Sequence, residues 1–308
     1  MRCDPVSLLT ASLLGSNRWE SLDCCLLTLD LSRTMSEIDS RPSFLTPNKI
    51  QPQYPLFVFL PGMDGTGRLL RSQTEGLEVG FDVRCLSIPL NDLTSWENLT
   101  QQVIDLIHSE LENNSQRQVY LCGESFGGCL AIKVALHSPQ LFDKLILVNS
   151  ASSFHRRSWY SWASQLIHCV PSWLYAFGAL GIFTLIASLE RISPADRQDI
   201  LHTMRSVPPQ TVLWRVSLVR EFDVDDAQLN QLKQPVLVIA SRRDRLLPSI
   251  AEARRLVRAL PNTKVVLLPN SGHACLVESG INLYEIMQTK NFLPNQTQSV
   301  NSCSEVTP

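Results

Sequence analysis

The sequence predicts an α/β protein in which an open, mostly parallel sheet carries helices on both faces. Three observations carry that reading. Six short runs rich in β-branched and aliphatic residues recur along the chain, turn residues bound them, and the stretches between them repeat apolar residues at three- and four-residue steps. The runs are LFVFLP at 56–61, VRCLSIP at 83–89, QVYLCG at 118–123, KLILVNS at 144–150, PVLVIAS at 235–241 and KVVLLP at 264–269. A strand that is apolar at successive positions has no solvent face, so each is predicted to be covered on both sides. Helices are predicted over Leu99–Leu111, Gly128–His137 and Ile250–Leu260. Sheets of this kind bind ligands beyond the carboxyl ends of their strands, which directs attention to the residues just after each run.

At roughly 150 residues per domain, 308 residues suggest about two domains. The pattern assigns the excess length elsewhere. Residues 1–50 form a loosely ordered extension without sustained periodicity, with Met1 and Met35 as alternative starts, and residues 295–308 form a polar tail. One core then comprises residues 51–153 and 234–294, interrupted by an insertion at 154–233. The 27 basic and 29 acidic residues leave a net charge of -2, which gives no electrostatic footprint for nucleic acid or anionic headgroups. Nine cysteines without a C-x-x-C pair suggest neither a zinc site nor a disulfide framework, so a reducing compartment and a cytoplasmic location are expected. Acidic residues through the first forty positions argue against a transit peptide, and Val6–Leu14 lacks the flanks of a signal sequence.

Three strand ends hold the candidate chemistry. After QVYLCG the chain reads Gly123-Glu124-Ser125-Phe126-Gly127 and enters a helix, the strand-turn-helix setting in which G-x-S-x-G exposes a serine hydroxyl. Serine needs a base held by a third group. Asp244 follows PVLVIAS and His273 follows KVVLLP, giving the order Ser, Asp, His associated with α/β-hydrolases. His108, His137, His155, His168 and His202 read as surface or packing residues. Arg242, Arg243 and Arg245 could make Asp244 an ordinary ion-pair member, but its position after a strand favours the catalytic role, and KLILVNS has no carboxylate behind it. Asp225 and Asp226 precede a strand and are weak competitors. Backbone N–H groups of Phe126 and of Met63, in the glycine-rich loop after the first run, are the candidate oxyanion donors. That loop fits neither a P-loop nor G-x-G-x-x-G. No metal or organic cofactor is required.

The insertion holds four of the six tryptophans, and Ser158 through Leu189 contains no Asp, Glu, Lys or Arg. One membrane crossing there would separate Ser125 from Asp244 and His273, so the segment reads as a helical cap whose apolar face binds a hydrocarbon and contacts a membrane surface. Trp159, Trp162, Trp173, Phe177 and Phe183 are its candidate substrate contacts. Val212, Val216 and Val219 are predicted to face the core from a later cap helix.

PLFVFLPGMDGTG, FDVRCLSIPLNDLTSW, VYLCGESFGGCLA and LPNSGHACLVESGINL, with REFDVDD and SRRDRLLPS, together resemble the esterase/lipase/thioesterase branch of the α/β-hydrolases found in cyanobacteria and plant plastids, which includes the phytyl ester synthases. The resemblance runs from about Pro55 to Phe292. It implies an α/β-hydrolase fold with a helical cap before the acid-bearing strand, acyl chemistry on lipid esters, and Ser125, Asp244 and His273 as the triad. In a cyanobacterial host the membrane contacted would be of thylakoid type. Many plant members carry a second half with an H-x-x-x-x-D motif, and neither His155 nor His202 opens one here. Hydrolysis of acyl esters is therefore expected first, acyl transfer to phytol or a diacylglycerol second, and lipid binding without turnover third.

Overall fold

The computed structural model describes residues 41–154 and 189–294. The runs become strands in one seven-stranded sheet, joined by one short strand that the sequence pattern did not mark. In chain order these are β1 (Ser43–Leu45), β2 (Leu56–Leu60), β3 (Asp82–Ser87), β4 (Val119–Glu124), β5 (Lys144–Val148), β6 (Val236–Ser241) and β7 (Thr263–Leu268). Their spatial order is β1-β3-β2-β4-β5-β6-β7. Every pair is parallel except β1 with β3. Thus the extension expected to run to residue 50 gives Ser43–Leu45 to the sheet edge, where three half-exposed residues are too few to show a period.

Side chains alternate across the sheet as the two-residue period requires. Leu56, Val58 and Leu60 enter one apolar cluster, while Phe57 and Phe59 enter the other. The first cluster is completed by α2 (Trp96–Leu111), α3 (Phe126–His137) and α7 (Ser249–Ala259), the second by α1 (Arg71–Leu77) and α8 (Leu283–Thr289). Ser95 caps α2 by accepting from Asn98 N–H at 3.3 Å, and Trp96, Leu99, Val103, Ile104 and Ile107 form its buried stripe. Buried Cys85, Cys122, Cys129 and Cys275 are free thiols within these layers, and burial pushes Cys85 up to about 12.

One strand departs from the expectation of two covered faces. The final run, β7, lies at the edge, and its Val265 and Leu267 are 37% and 54% exposed. Within the insertion, the described residues form α4 (Pro194–Ser206), α5 (Pro209–Glu221) and α6 (Asp226–Leu229). Of the three valines predicted to face the core from α5, only Val219 is buried; Val212 and Val216 are half-buried. The buried stripe is Thr211, Arg215, Leu218 and Val219, so Val212 and Val216 each stand one residue, about 100° of helix, off its centre. Asp225, one of the competing carboxylates, caps α6 through a capping box with Gln228. No helix among the described residues is long and apolar enough to cross a membrane.

Candidate active site

The register of the parallel strands brings their carboxyl ends level. Glu124 of β4 pairs with Val148 of β5, Val148 with Ile239 of β6, and Ser241 of β6 with Leu268 of β7. The chain therefore emerges from β4, β5, β6 and β7 at one sheet end, carrying Ser125, Asn149, Asp244 and His273.

Ser125 stands between β4 and α3 at φ 54°, ψ -113°, a region that side-chain-bearing residues rarely occupy. Backbone bonds on both sides hold it there. Its N–H donates to Val148 O at 3.0 Å, and its carbonyl accepts from Gly128 at 3.0 Å and Ala151 at 3.1 Å. The elbow also requires α3 to start against β2, where a Cβ on Gly127 would meet Leu60 O at 2.0 Å.

Ser125 Oγ lies 2.9 Å from His273 Nε2, and His273 Nδ1 lies 2.7 Å from Asp244 Oδ2. An ionised carboxylate only accepts, so Nδ1 carries the ring proton and Nε2 is left to accept from the serine hydroxyl. Asp244 is held for this role. Its Oδ1 accepts from Leu246 and Leu247 N–H groups at 2.9 Å each, and Oδ2 also accepts from Ser249 Oγ. Burial works to raise the Asp244 pKa, but His273 and these donors together hold it below the usual value. The flanking arginines point elsewhere: Arg242, Arg243 and Arg245 are exposed, and Arg243 pairs with Glu190 at 3.6 Å.

His273 is 6% exposed, and burial alone would lower its pKa. The Asp244 charge and hydrogen bond, with a smaller contribution from Glu124, reverse that and raise it. Glu124, just before Ser125, is itself pushed up to about 7 by burial and by Asp64, against the opposing pull of His273. This coupled pair was not legible in the sequence, where Glu124 is only the second letter of the elbow.

Two further residues fix the histidine loop. Asn149 stands at φ 43° directly after β5, the run behind which no carboxylate follows, donates to His273 O at 2.6 Å and Ser241 Oγ at 2.9 Å, and accepts from Ser241 N–H at 2.8 Å. Glu278 accepts from Gly272 N–H at 2.7 Å and from Arg191 at 2.9 Å. The asparagine in KLILVNS was a visible signal, since Asn tolerates positive φ and carries both donor and acceptor.

Of the predicted oxyanion donors, Phe126 opens α3, so its N–H has no partner within the helix. Met63 belongs to a turn closed by Gly65 N–H to Gly62 O at 3.0 Å, beside Ser125: a Cβ on Gly62 would lie 3.7 Å from Ser125 Cβ. The five proposed cap contacts, Trp159, Trp162, Trp173, Phe177 and Phe183, lie outside the described residues. Among the described residues no group of three or more His, Cys, Asp or Glu side chains could hold a metal.

Sheet order, elbow and the helices inserted between β5 and β6 define an α/β-hydrolase fold. The chain belongs to the α/β-hydrolase family described as Serine aminopeptidase, S33, which it matches over residues 90–280, more than half its length. It is 34% identical over 258 residues to phytyl ester synthase 1, chloroplastic, of Arabidopsis thaliana, covering 76% of this chain and 36% of that protein. The chain thus spans little more than a third of that relative. Pimeloyl-[acyl-carrier protein] methyl ester esterase of Vibrio parahaemolyticus is 27% identical over 229 residues, covering 72% of this chain and 88% of that protein. Among solved structures, an esterase from Exiguobacterium antarcticum superposes with a TM-score of 0.63 at 16% identity, over 81% of this chain and 92% of that one, a likeness of fold.

Proposed function

We infer that the protein is a serine hydrolase acting on acyl esters of hydrophobic lipids. The observation that carries this reading is the continuous chain from Ser125 Oγ through His273 to Asp244, at 2.9 and 2.7 Å. In the reaction, Ser125 Oγ attacks the ester carbonyl carbon while its proton passes to His273 Nε2. The carbonyl electrons move to oxygen, where Phe126 and Met63 N–H groups receive the charge. Collapse expels the alkoxide, which takes the proton from His273 and leaves an acyl-enzyme; water activated by the same base then releases the acid. Esterases among the relatives and the uncharged, aromatic-rich stretch from Ser158 through Leu189 support the substrate class. Similarity to phytyl ester synthase 1 favours a second reading, transfer of the acyl group to a lipid alcohol, if the pocket excludes water.

Purified protein given a fatty-acyl ester, with and without phytol, separates these readings by the ratio of new ester to free acid. Free acid is expected as the main product in both arms. Phytyl ester as the main product would establish transfer, and binding without turnover across an ester panel would reduce the protein to a lipid binder.

The coupling of Glu124 to His273 predicts the pH profile. His273 must be neutral to act as base and its pKa is raised, so the acid limb of kcat/KM should lie above the ordinary histidine value of about 6.5. Glu124→Gln removes a negative charge that favours the imidazolium, so the limb should move to lower pH. The same substitution should raise Tm above neutrality. Because the Glu124 pKa is raised on folding from 4.5 to about 7, the stability its protonated form contributes is complete below 4.5 and lost as pH rises through about 7. A limb that stays in place in Glu124→Gln would show that the two groups are not coupled.

A further inference from the structure

Arg215 is the largest fully buried side chain among the described residues, 1% exposed, and it projects from the cap helix α5. No carboxylate forms an ion pair with it among the described residues; Asp64 and Asp92 act on it from farther away. Its guanidinium is instead taken up by backbone. Nη1 donates to Met63 O at 2.8 Å and Nη2 to Pro89 O at 3.2 Å. A buried charge met by neutral carbonyls is costly, and apolar replacements of buried charged groups are often neutral or stabilising, so packing alone does not account for an arginine here.

Geometry of the turn supplies an account. The Gly65 N–H bond draws the carbonyl of the Gly62–Met63 peptide into the turn, and in a trans peptide the N–H points the opposite way, so Met63 N–H faces outward. The following peptide shares the Met63 Cα with it, so a swing of that peptide would change the backbone angles at Met63 and tilt its N–H. Arg215 holds that peptide by its carbonyl. Asp64 Oδ2 secures the next step by accepting from Thr66 N–H at 2.9 Å and Thr66 Oγ1 at 2.6 Å, and Gly65 O accepts from Ile88 N–H at 2.7 Å. Gly65 stands at φ +70°, where a Cβ would lie 2.5 Å from Nη1, so the guanidinium fills the space a side chain would need. The helix that delivers Arg215 is itself anchored: Trp214 Nε1 donates to Thr94 O at 2.9 Å, and Trp96 Nε1 donates to Leu218 O at 2.6 Å.

We propose that Arg215 is a positioning residue for the acyl chemistry, a strut from the cap that orients the Met63 N–H toward the developing oxyanion. Cap seating and transition-state stabilisation are thereby coupled through one side chain. The assignment rests on the reading of Ser125 as nucleophile and Met63 as oxyanion donor.

The test compares the full chain with Arg215→Met and Arg215→Lys. The readouts are kcat and KM on a chromogenic acyl ester, fluorophosphonate labelling, Tm, and inhibition by an acyl trifluoromethyl ketone, whose serine adduct places an oxyanion where the tetrahedral intermediate has one. Arg215→Met should lower kcat by about 10²-fold, the effect of one misplaced oxyanion donor, with KM within about threefold. Ketone affinity should fall in parallel while Tm holds. Arg215→Lys, whose ammonium cannot span both carbonyls with a planar fork, should fall between. If Arg215→Met does not fold, Gly65→Ala reaches the same contact by driving a methyl into the guanidinium and should show the same kcat-selective loss. Unchanged ketone affinity in folded variants of a wild type that labels and turns over would overturn the role of Arg215 alone. A wild type that neither labels nor turns over would overturn the serine-enzyme reading and the strut with it.

Discussion

Ser125→Ala is expected to abolish fluorophosphonate labelling and to lower kcat on acyl esters by about 10⁴–10⁶-fold, while leaving Tm within a few degrees of wild type. The loss should be that large because, among the described residues, Ser125 alone presents a hydroxyl to His273 Nε2. His273 Nε2 is 2.9 Å from the hydroxyl and would be left as a base without its nucleophile. Stability should be spared because the elbow is held by backbone, through the Ser125 N–H to Val148 and the Ser125 carbonyl to Gly128 and Ala151. None of those bonds uses Oγ. KM should change little, since the substitution removes only Oγ and leaves the rest of the proposed site in place. Intact-protein mass spectrometry after exposure to the probe checks the prediction directly: an adduct persisting in Ser125→Ala would move the nucleophile elsewhere.

Much of the fold was legible because six of its seven strands lie in predominantly apolar runs, and that pattern survives without knowledge of their order. Ser125, Asp244 and His273 were legible because each lies within five residues of a strand's carboxyl end, and a parallel sheet must bring those ends together. What stayed hidden are residues whose role depends on a partner far along the chain. Arg215 meets Met63 across 152 positions and Asn149 meets His273 across 124, separations at which sequence spacing carries no signal. Buried charge stayed hidden for the same reason. Arg84 sits within an apolar run yet is buried against Asp82 at 2.7 Å and Glu110 at 2.8 Å, and the stripe of α5 is centred on an arginine, so an apolar-only rule selected its valines instead. The edge position of β7 was equally invisible, because a run of valines and leucines reads alike whether or not another strand lies beyond it.

Asp244→Asn should lower kcat by about 10⁴-fold with KM nearly unchanged, the second largest effect expected. The cause is the tautomer. Asp244 Oδ2 now accepts from Nδ1–H at 2.7 Å, which leaves Nε2 as the acceptor facing Ser125. An asparagine that turns its amide toward the ring donates instead, shifts the proton to Nε2, and leaves no base for the serine hydroxyl. The alternative amide orientation keeps the acceptor but loses the charge that raises the His273 pKa, so the imidazolium formed during attack is no longer stabilised. The folded protein should persist, because the orientation that turns the amide toward the ring keeps an oxygen at Oδ1 for the Leu246 and Leu247 N–H groups. The acid limb of kcat/KM for the residual activity should move to lower pH, in the direction predicted for Glu124→Gln and by a larger amount, since Asp244 is the stronger cause of the shift. Asp225→Asn provides the contrast. That carboxylate caps α6 with its Oδ1 2.7 Å from Gln228 N–H, so its loss should cost stability at the cap, about 1 kcal/mol or less, and leave kcat and the pH limb in place. A pH-rate series on the two variants and wild type decides the acid: a kcat loss in Asp225→Asn matching that in Asp244→Asn would remove Asp244 from the triad.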